Sequence, residues 1–291
     1  LLRRGATVHM VCRNRERGTA ARAALLRDVG CDESQLLLHE ADCGLAQSLK
    51  AFAANFLEAH PKLDVLINNA GVLAPERMDM SDGGEACMSV ALGGTFLLSG
   101  LLLPALAAGA EAAGAGARSR IINVSSGGMY MAKVDAADLD LRKGAYDGTL
   151  QYCRAKRAQV ELTAAMQERL DAAAAPVDVH AMHPGWADTP GVRTSIPGFF
   201  KSNGSDFRTP EMGADTIVWL ASTPKVAGHG GSFYLDRKAV SQHMPLAMTH
   251  ASADERQALW GACEQKFDWV WPPGGAGVGA AAAATGATAG S

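Results

Sequence analysis

The sequence lacks an excess of charge of either sign. Its 27 Lys and Arg residues are nearly balanced by 30 Asp and Glu residues, which gives a formal net charge of -3 over 291 residues. Phosphate binding usually requires a clustered basic excess, so we expect no nucleic acid as the main partner. With 48% hydrophobic residues, the composition also differs from that of an acidic disordered chain.

The spacings of a metal site or a redox dithiol are absent as well. The cysteines are Cys12, Cys31, Cys43, Cys87, Cys153 and Cys263, and no two of them form a Cys-x-x-Cys pair. They predict free thiols in a reducing intracellular compartment, with the cytoplasm expected first and an organelle as the alternative. His180 and His183 have no third ligand nearby, so we expect no metal there.

One stretch lacks charged residues for long enough to cross a bilayer. Residues 86–110 contain no Asp, Glu, Lys or Arg. However, Gly and Pro interrupt the stretch, and its flanking residues Glu85 and Glu111 are acidic where a membrane span usually has basic anchors. We therefore interpret it as a buried core helix, and the alternative is a membrane-associated enzyme that acts on lipids.

Short apolar runs alternate with helix-like segments along the chain. The runs predict strands at 6–12, 35–39, 65–68, 121–124, 177–182 and 232–235, and the segments predict helices at 15–29, 45–59, 85–108, 152–173 and 211–222. This order indicates an α/β fold with a doubly wound parallel sheet flanked by helices. We interpret 1–271 as one domain and the Gly/Ala-rich 272–291 as a disordered tail.

Polar motifs lie where predicted strands end and where a helix begins. Asn68-Asn69-Ala70-Gly71, Val124-Ser125-Ser126-Gly127 and His183-Pro184-Gly185-Trp186-Ala187-Asp188-Thr189 each follow a strand, and Tyr152-Cys153-Arg154-Ala155-Lys156 opens a helix. The i,i+4 spacing puts Tyr152 and Lys156 on one helix face. Ligands bind at the carboxyl edge of open parallel sheets, which predicts a site there. An ordinary amphipathic face is the alternative for the Tyr/Lys pair.

In these motifs the chain resembles the short-chain dehydrogenase/reductase family, and in particular its retinol-dehydrogenase-like branch. The resemblance to the family runs from residue 1 to about 245. The likeness to that branch is carried by the segments at 125–129, 147–149, 183–193 and 236–238. The resemblance implies a Rossmann-type fold and hydride transfer between a nicotinamide and an alcohol or carbonyl of a small, apolar substrate. It also implies a possible homodimer through the helices at 85–108 and 152–173. A non-catalytic sensor or scaffold of the same fold is the alternative.

The resemblance assigns catalytic roles to three residues. Tyr152 would be the general acid/base. Lys156 would lower the pKa of the Tyr152 phenol and hold the nicotinamide ribose. Ser126 would orient the substrate oxygen. Ser126 is preferred over Ser125 because it matches the family position, whereas a helix cap or turn is the other interpretation of this Ser pair.

The resemblance also implies a cofactor site, with NADP (NADPH) as the expected cofactor. The first strand ends in Arg13 and has no acidic residue there, which favours the 2′-phosphate of NADP, although a solvated surface arginine is the alternative. The other implied contacts are Asp42 for the adenine, Asn69, Ala70 and Gly71 for the adenosine side, Tyr152 and Lys156 for the nicotinamide ribose, and Pro184, Gly185 and Thr189 for the nicotinamide amide and phosphates. Asn68 is expected to pin the neighbouring strand, and Trp186 either lines the substrate pocket or packs.

The sequence departs from the family pattern at two places. Leu1–Gly5 resembles the last turn of a helix that begins upstream, and the family's opening strand and Gly-rich turn are missing. We therefore expect an N-terminally truncated chain that leaves two strands unpaired across a gap, and that folds and binds cofactor poorly. The second departure is Ala91, which stands where the family has an Asn that supports proton relay.

Overall fold

The computed structural model describes residues 1–195 and 206–272. Its strands are β1 (Val8–Cys12), β2 (Leu36–Glu40), β3 (Val65–Asn68), β4 (Ser119–Val124), β5 (Val177–Met182), β6 (Phe233–Leu235) and β7 (Lys238–Val240). Its helices are α1 (Arg15–Val29), α2 (Ala46–Ala59), α3 (Ala86–Leu101), α4 (Leu103–Ala113), α5 (Gly148–Ala172), α6 (Pro190–Ser195), α7 (Pro210–Ser222) and α8 (Ala253–Phe267).

The strands confirm the predicted α/β fold. β1 and β2 form a parallel two-stranded sheet, and β3, β4, β5 and β6 form a parallel sheet that β7 extends in the antiparallel direction. β1 pairs with β2 on one edge, and β3 pairs with β4 on one edge. Among the described residues, no strand pairs with the other edge of β1 or of β3, as expected. β7 and α8 were not predicted.

The apolar stretch at 86–110 forms two helices instead of the single predicted one. Pro104, which has no backbone N–H, lies in the first turn of α4, and the chain bends by 56° between α3 and α4. Most side chains here are buried in the main hydrophobic core, as the interpretation of a core helix requires. Within the described ranges no single helix is long and apolar enough to span a membrane, and the bent pair reaches that length and apolar composition only when its two helices are taken together.

Inside α3, the segment Gly93–Leu98 has π-helical hydrogen bonding. The helix approaches the loop after β2 so closely that a Cβ added to Gly93 would lie 1.9 Å from the carbonyl oxygen of Cys43. Only glycine permits this approach. The contact sets the distance between α3 and the carboxyl end of β2.

The start of α5 differs from the prediction and sets the position of the Tyr/Lys pair. The Asp147 carboxylate accepts hydrogen bonds from the backbone N–H groups of Thr149 (2.9 Å) and Leu150 (3.0 Å), so the helix begins at Gly148 and not at 152. An N-cap aspartate of this kind satisfies backbone donors that the first turn cannot pair internally. Tyr152 therefore lies in the second turn of α5.

Two segments outside the predicted strands and helices also contain local structure. Within 127–150, short 3₁₀ turns occupy Gly127–Tyr130 and Ala136–Asp138. Between 190 and 210, α6 covers Pro190–Ser195, and 196–205 lies outside the described residues. The same is true of 273–291, nearly all of the predicted tail. All six cysteines of the chain are free, as predicted.

Candidate active site

Tyr152 and Lys156 lie one turn apart on α5, at the carboxyl edge of the sheet. The Lys156 ammonium is 5.6 Å from the centroid of the Tyr152 ring. Ser126 follows the end of β4, and its hydroxyl is near enough to the phenol of Tyr152 to lower its pKa. The structure therefore brings together all three side chains to which the sequence assigned catalysis.

The Lys156 ammonium is buried and held by two acceptors. It donates to the carbonyl oxygen of Val124 (2.9 Å) and to the side-chain oxygen of Gln159 (3.0 Å). Gln159 in turn donates to the hydroxyl of Thr95 on α3 (2.9 Å). Burial lowers the pKa of Lys156 to about 8, because desolvation disfavours the charged ammonium.

Desolvation is the main influence on the pKa of the Tyr152 phenol. Burial raises the pKa of Tyr152 to about 12, and the nearby Ser126 hydroxyl opposes this shift without reversing it. The family resemblance implies that Lys156 lowers this pKa once the cofactor is bound. In this structure desolvation is the larger effect, so the phenol is protonated at neutral pH.

The two adjacent serines after β4 have different partners. The Ser125 hydroxyl is buried and donates to the backbone carbonyl of Lys156 (2.8 Å), which fastens β4 to α5. The Ser126 side chain caps the turn at 127–130 by accepting from the N–H of Gly128 (3.2 Å), and it is the serine that reaches Tyr152. This geometry favours the family-based choice of Ser126.

The turn after β3 passes directly over the lysine. A Cβ added to Gly71 would lie 3.3 Å from the Lys156 nitrogen, so a side chain there would crowd the ammonium. Asn69 and Ala70 are the exposed residues before it. Asn68 is buried and donates to Asn123 on β4 (2.8 Å) and to Ser99 on α3 (2.9 Å), so it pins the neighbouring strand as expected.

Arg13 and Asp42 lie at the ends of β1 and β2, on the two-stranded sheet. Arg13 is exposed, and the Asp42 carboxylate accepts from the N–H of Gly44 (2.8 Å). Among the described residues, no hydrogen bond or ion pair connects these two side chains with Tyr152, Lys156 or Ser126. The structure thus leaves the candidate adenine-side residues apart from the candidate catalytic group.

The turn after β5 carries the remaining predicted residues and is clamped by an arginine that sequence reasoning missed. Arg208 lies against Gly185, where a Cβ would come within 2.5 Å of its Nε, and its guanidinium pairs with Asp236 between β6 and β7. Its backbone also bridges to Trp186 (2.7 Å) and Asp188 (2.8 Å). Arg208 stands in a stretch without periodicity, which explains why no pattern pointed to it.

The Thr189 hydroxyl in the same turn accepts from the N–H of Val192 (3.3 Å) at the start of α6. Pro184 precedes Gly185 at the other end of the turn, and its carbonyl oxygen is 3.5 Å from a guanidinium nitrogen of Arg208. The three residues predicted for the nicotinamide side therefore belong to one clamped loop.

Two further sequence expectations concern His180, His183 and Ala91. Among the described residues, neither ring nitrogen of buried His180 has a hydrogen-bond partner, and Nδ1 of His183 has none either. Neither histidine belongs to a potential metal-binding group there. Ala91 is buried in α3 and has no polar side chain.

Gln159 was missed, although it stands three residues after Lys156 on the same helix face.

Comparisons with known proteins identify relatives over most of the chain. A family model described as short chain dehydrogenase matches residues 1–197. Dehydrogenase/reductase SDR family member 12 from Bos taurus is 39% identical over 260 residues, which cover 89% of this chain and 78% of that protein. Retinol dehydrogenase 14 from Homo sapiens is 34% identical over 277 residues, with the same shares of 89% and 78%.

Solved structures show the same fold. An uncharacterised protein from Mycobacterium paratuberculosis has a TM-score of 0.69 and 29% identity, covering 93% of this chain and 87% of its own. The NADPH-bound carbonyl reductase from chicken fatty liver has a TM-score of 0.55 and 22% identity, covering 78% and 83%. The second likeness concerns the fold alone.

Proposed function

Because the chain belongs to the short-chain dehydrogenase/reductase family of oxidoreductases, we propose that it reduces the carbonyl group of a small, apolar substrate with NADPH. The observation that carries the proposal is the convergence of Tyr152, Ser126 and Lys156 at one edge of the sheet. A scaffold would not need a buried ammonium beside a phenol and a serine hydroxyl. Several relatives are named as retinol dehydrogenases, which supports an apolar substrate.

The residues present fit a nicotinamide cofactor. The absence of a side chain at Gly71 leaves room directly beside the Lys156 ammonium, which a Cβ would otherwise fill. Lys156 would hold the ribose hydroxyls, Gly71 with Asn69 and Ala70 would line the adenosine side, and the loop with Pro184, Gly185 and Thr189 would cover the nicotinamide. When bound, the cofactor supplies the hydride.

The protein's own residues would handle the proton. A phenol with a pKa of about 12 is protonated at neutral pH, which is the form that donates to a carbonyl oxygen. Ser126 would hydrogen-bond that oxygen and keep it within reach of the phenol. Alcohol oxidation would require the phenolate instead.

Ala91 stands where the family has an asparagine. Gln159 and Thr95 would take over the task of positioning Lys156. The Gln159 amide bridges the Lys156 ammonium and the Thr95 hydroxyl, and this bridge fixes the ammonium against α3. Ala91 itself favours the second candidate function, a non-catalytic sensor that binds a dinucleotide.

The experiment that separates the two functions is an assay of NADPH oxidation with a panel of apolar aldehydes and ketones. Turnover of any carbonyl supports the reductase. Binding of NADPH without turnover across the panel supports the sensor. NADH is assayed in parallel.

Arg13→Asp is expected to raise the KM for NADPH about ten- to hundredfold and to leave the KM for NADH unchanged or lower. The exposed guanidinium at the end of β1 would pair with the 2′-phosphate, and a hydrogen bond to a charged group contributes about 1.5–3 kcal/mol. Steady-state kinetics with both cofactors measure the change. Arg27→Asp, on the exposed far end of α1, is the control. Equal effects on both cofactors would contradict the assignment of Arg13.

Ser126→Ala and Ser125→Ala are expected to affect different quantities. Ser126→Ala should lower kcat about 10²-fold, because it removes a donor to the oxygen where charge develops. Ser125→Ala should reduce the free energy of unfolding by about 1 kcal/mol, because the bond to the Lys156 carbonyl is lost. Thermal melts and kcat of both variants test this division. A larger kcat loss in Ser125→Ala would reverse the assignment.

A further inference from the structure

Three histidines from distant parts of the chain meet beside the two-stranded sheet. His9 lies on β1, His39 lies on β2 and His60 follows the last residue of α2. In the parallel register His9 is opposite Leu37, so His39 is two residues further along its strand and points to the same face. One ring nitrogen of each histidine lies within 4.8 Å of the other two. Their wide separation in sequence explains why no motif revealed them.

The three rings are held by close aromatic packing. Nδ1 of His9 is 2.9 Å from Nε2 of His39, and the ring centroid of His60 is 4.4 Å from that of His9. Phe56 lies edge-on to His9 at 5.1 Å between centroids, and Phe52 lies edge-on to His39 at 5.5 Å. The cluster is half-buried, so the rings are restrained while the group stays accessible to a small ion.

His9 and His39 also have the protonation state that a ligand needs. Burial lowers the pKa of His9 to about 4, with the neighbouring histidines adding to the effect, and burial lowers the pKa of His39 as well. Both imidazoles are therefore neutral at pH 7 and have a lone pair available.

We propose that His9, His39 and His60 form a binding site for a divalent transition-metal ion of the zinc class, with water as the fourth ligand. Zn²⁺ binds imidazole nitrogen at about 2.0–2.1 Å, and tetrahedral geometry separates two such nitrogens by about 3.3 Å. The observed 2.9 Å between Nδ1 of His9 and Nε2 of His39 is close to this spacing. Small rotations of the rings are sufficient to reach it.

Imidazole ligands suit Zn²⁺, Cu²⁺ and Ni²⁺ better than Mg²⁺ or Ca²⁺, which prefer oxygen. No acidic side chain belongs to this group, and it is the one potential metal-binding group within the parts of the chain that the structure describes. A bound ion would join β1, β2 and the end of α2, and so fix the small sheet whose strands lead to Arg13 and Asp42.

The test uses tag-free protein stripped with EDTA and titrated calorimetrically with ZnCl₂. Wild type should bind one equivalent at micromolar Kd or tighter, and its thermal midpoint should rise by at least about 5 °C at a hundredfold excess over Kd. His60→Ala should weaken binding at least about tenfold. His60 follows the helix end, so this variant disturbs packing less than changes at His9 or His39. His229→Ala, at an exposed histidine, is the control and should bind like wild type.

The visible spectrum of the Co²⁺-loaded wild type gives a measurement that does not depend on any variant. A strong tetrahedral absorption band supports the site, and a weak octahedral spectrum overturns it. Unchanged Zn²⁺ affinity in His60→Ala, loss of binding in His229→Ala, or no binding by wild type also overturns it. In that last case the cluster serves packing only.

Discussion

Tyr152→Phe is expected to lower kcat for carbonyl reduction by about 10²- to 10⁴-fold, the range usual for loss of a general acid. The change removes only the phenolic oxygen, so the ring that packs beside Lys156 stays in place. Because burial keeps the phenol protonated at neutral pH, the lost group is the proton donor itself. The KM for NADPH should change less than threefold, since Lys156 and Gly71 remain. Steady-state kinetics at pH 7 measure both constants.

Tyr146→Phe is the matched control for this prediction. The Tyr146 hydroxyl donates to the buried Glu85 carboxylate (3.0 Å), which also caps α3 through the N–H groups of Cys87 and Met88. Its loss should reduce the free energy of unfolding by about 1 kcal/mol and leave kcat near the wild-type value. Retention of more than a tenth of wild-type kcat in Tyr152→Phe would show that another group donates the proton.

Arg157→Met is expected to reduce the free energy of unfolding by about 3–5 kcal/mol, the largest stability effect that we predict. Arg157 is fully buried and pairs with Glu161 one turn along α5, and it also donates to the carbonyl oxygen of Gln242 (2.6 Å). Removing the guanidinium leaves the buried Glu161 carboxylate without its cation. Urea unfolding followed by circular dichroism measures the loss.

The double variant Arg157→Met/Glu161→Leu separates charge from packing. Replacing both members of a buried ion pair by apolar residues is often neutral or stabilising. We therefore expect the double variant to recover most of the stability that the single variant loses. A double variant as unstable as Arg157→Met would show that the contact with Gln242, and not the unpaired carboxylate, accounts for the loss.

Local patterns were sufficient to predict the parallel strands, because each is a short apolar run between helix-like segments. The prediction was wrong where a single residue decides between continuation and a break. Pro104 divides the predicted helix at 85–108, and the Asp147 cap starts α5 before Tyr152. β7 and α8 lie at or near the end of the segment that the family resemblance covers, and neither has strong periodicity.

The family resemblance assigned the candidate catalytic side chains, on motifs that each follow a predicted strand or open a predicted helix. The partners of these side chains could not be predicted from the sequence. Gln159 acts through a contact with Thr95 on another helix, and Arg208 acts through an ion pair with Asp236, 28 residues away. Such pairings depend on how elements pack in space, and sequence spacing does not encode them. The same reason hid the cluster of His9, His39 and His60.

The close approach of Gly93 to the Cys43 carbonyl has a mechanical consequence. Asp42, next to Cys43, lies on the side proposed for the adenine, and Thr95, two residues after Gly93, holds Gln159 and through it the Lys156 ammonium. Packed backbone atoms are nearly incompressible. A displacement of the loop towards α3 would therefore also displace the helical segment that carries Thr95. The contact between Gly93 and Cys43 therefore connects the two ends of the proposed cofactor site rigidly.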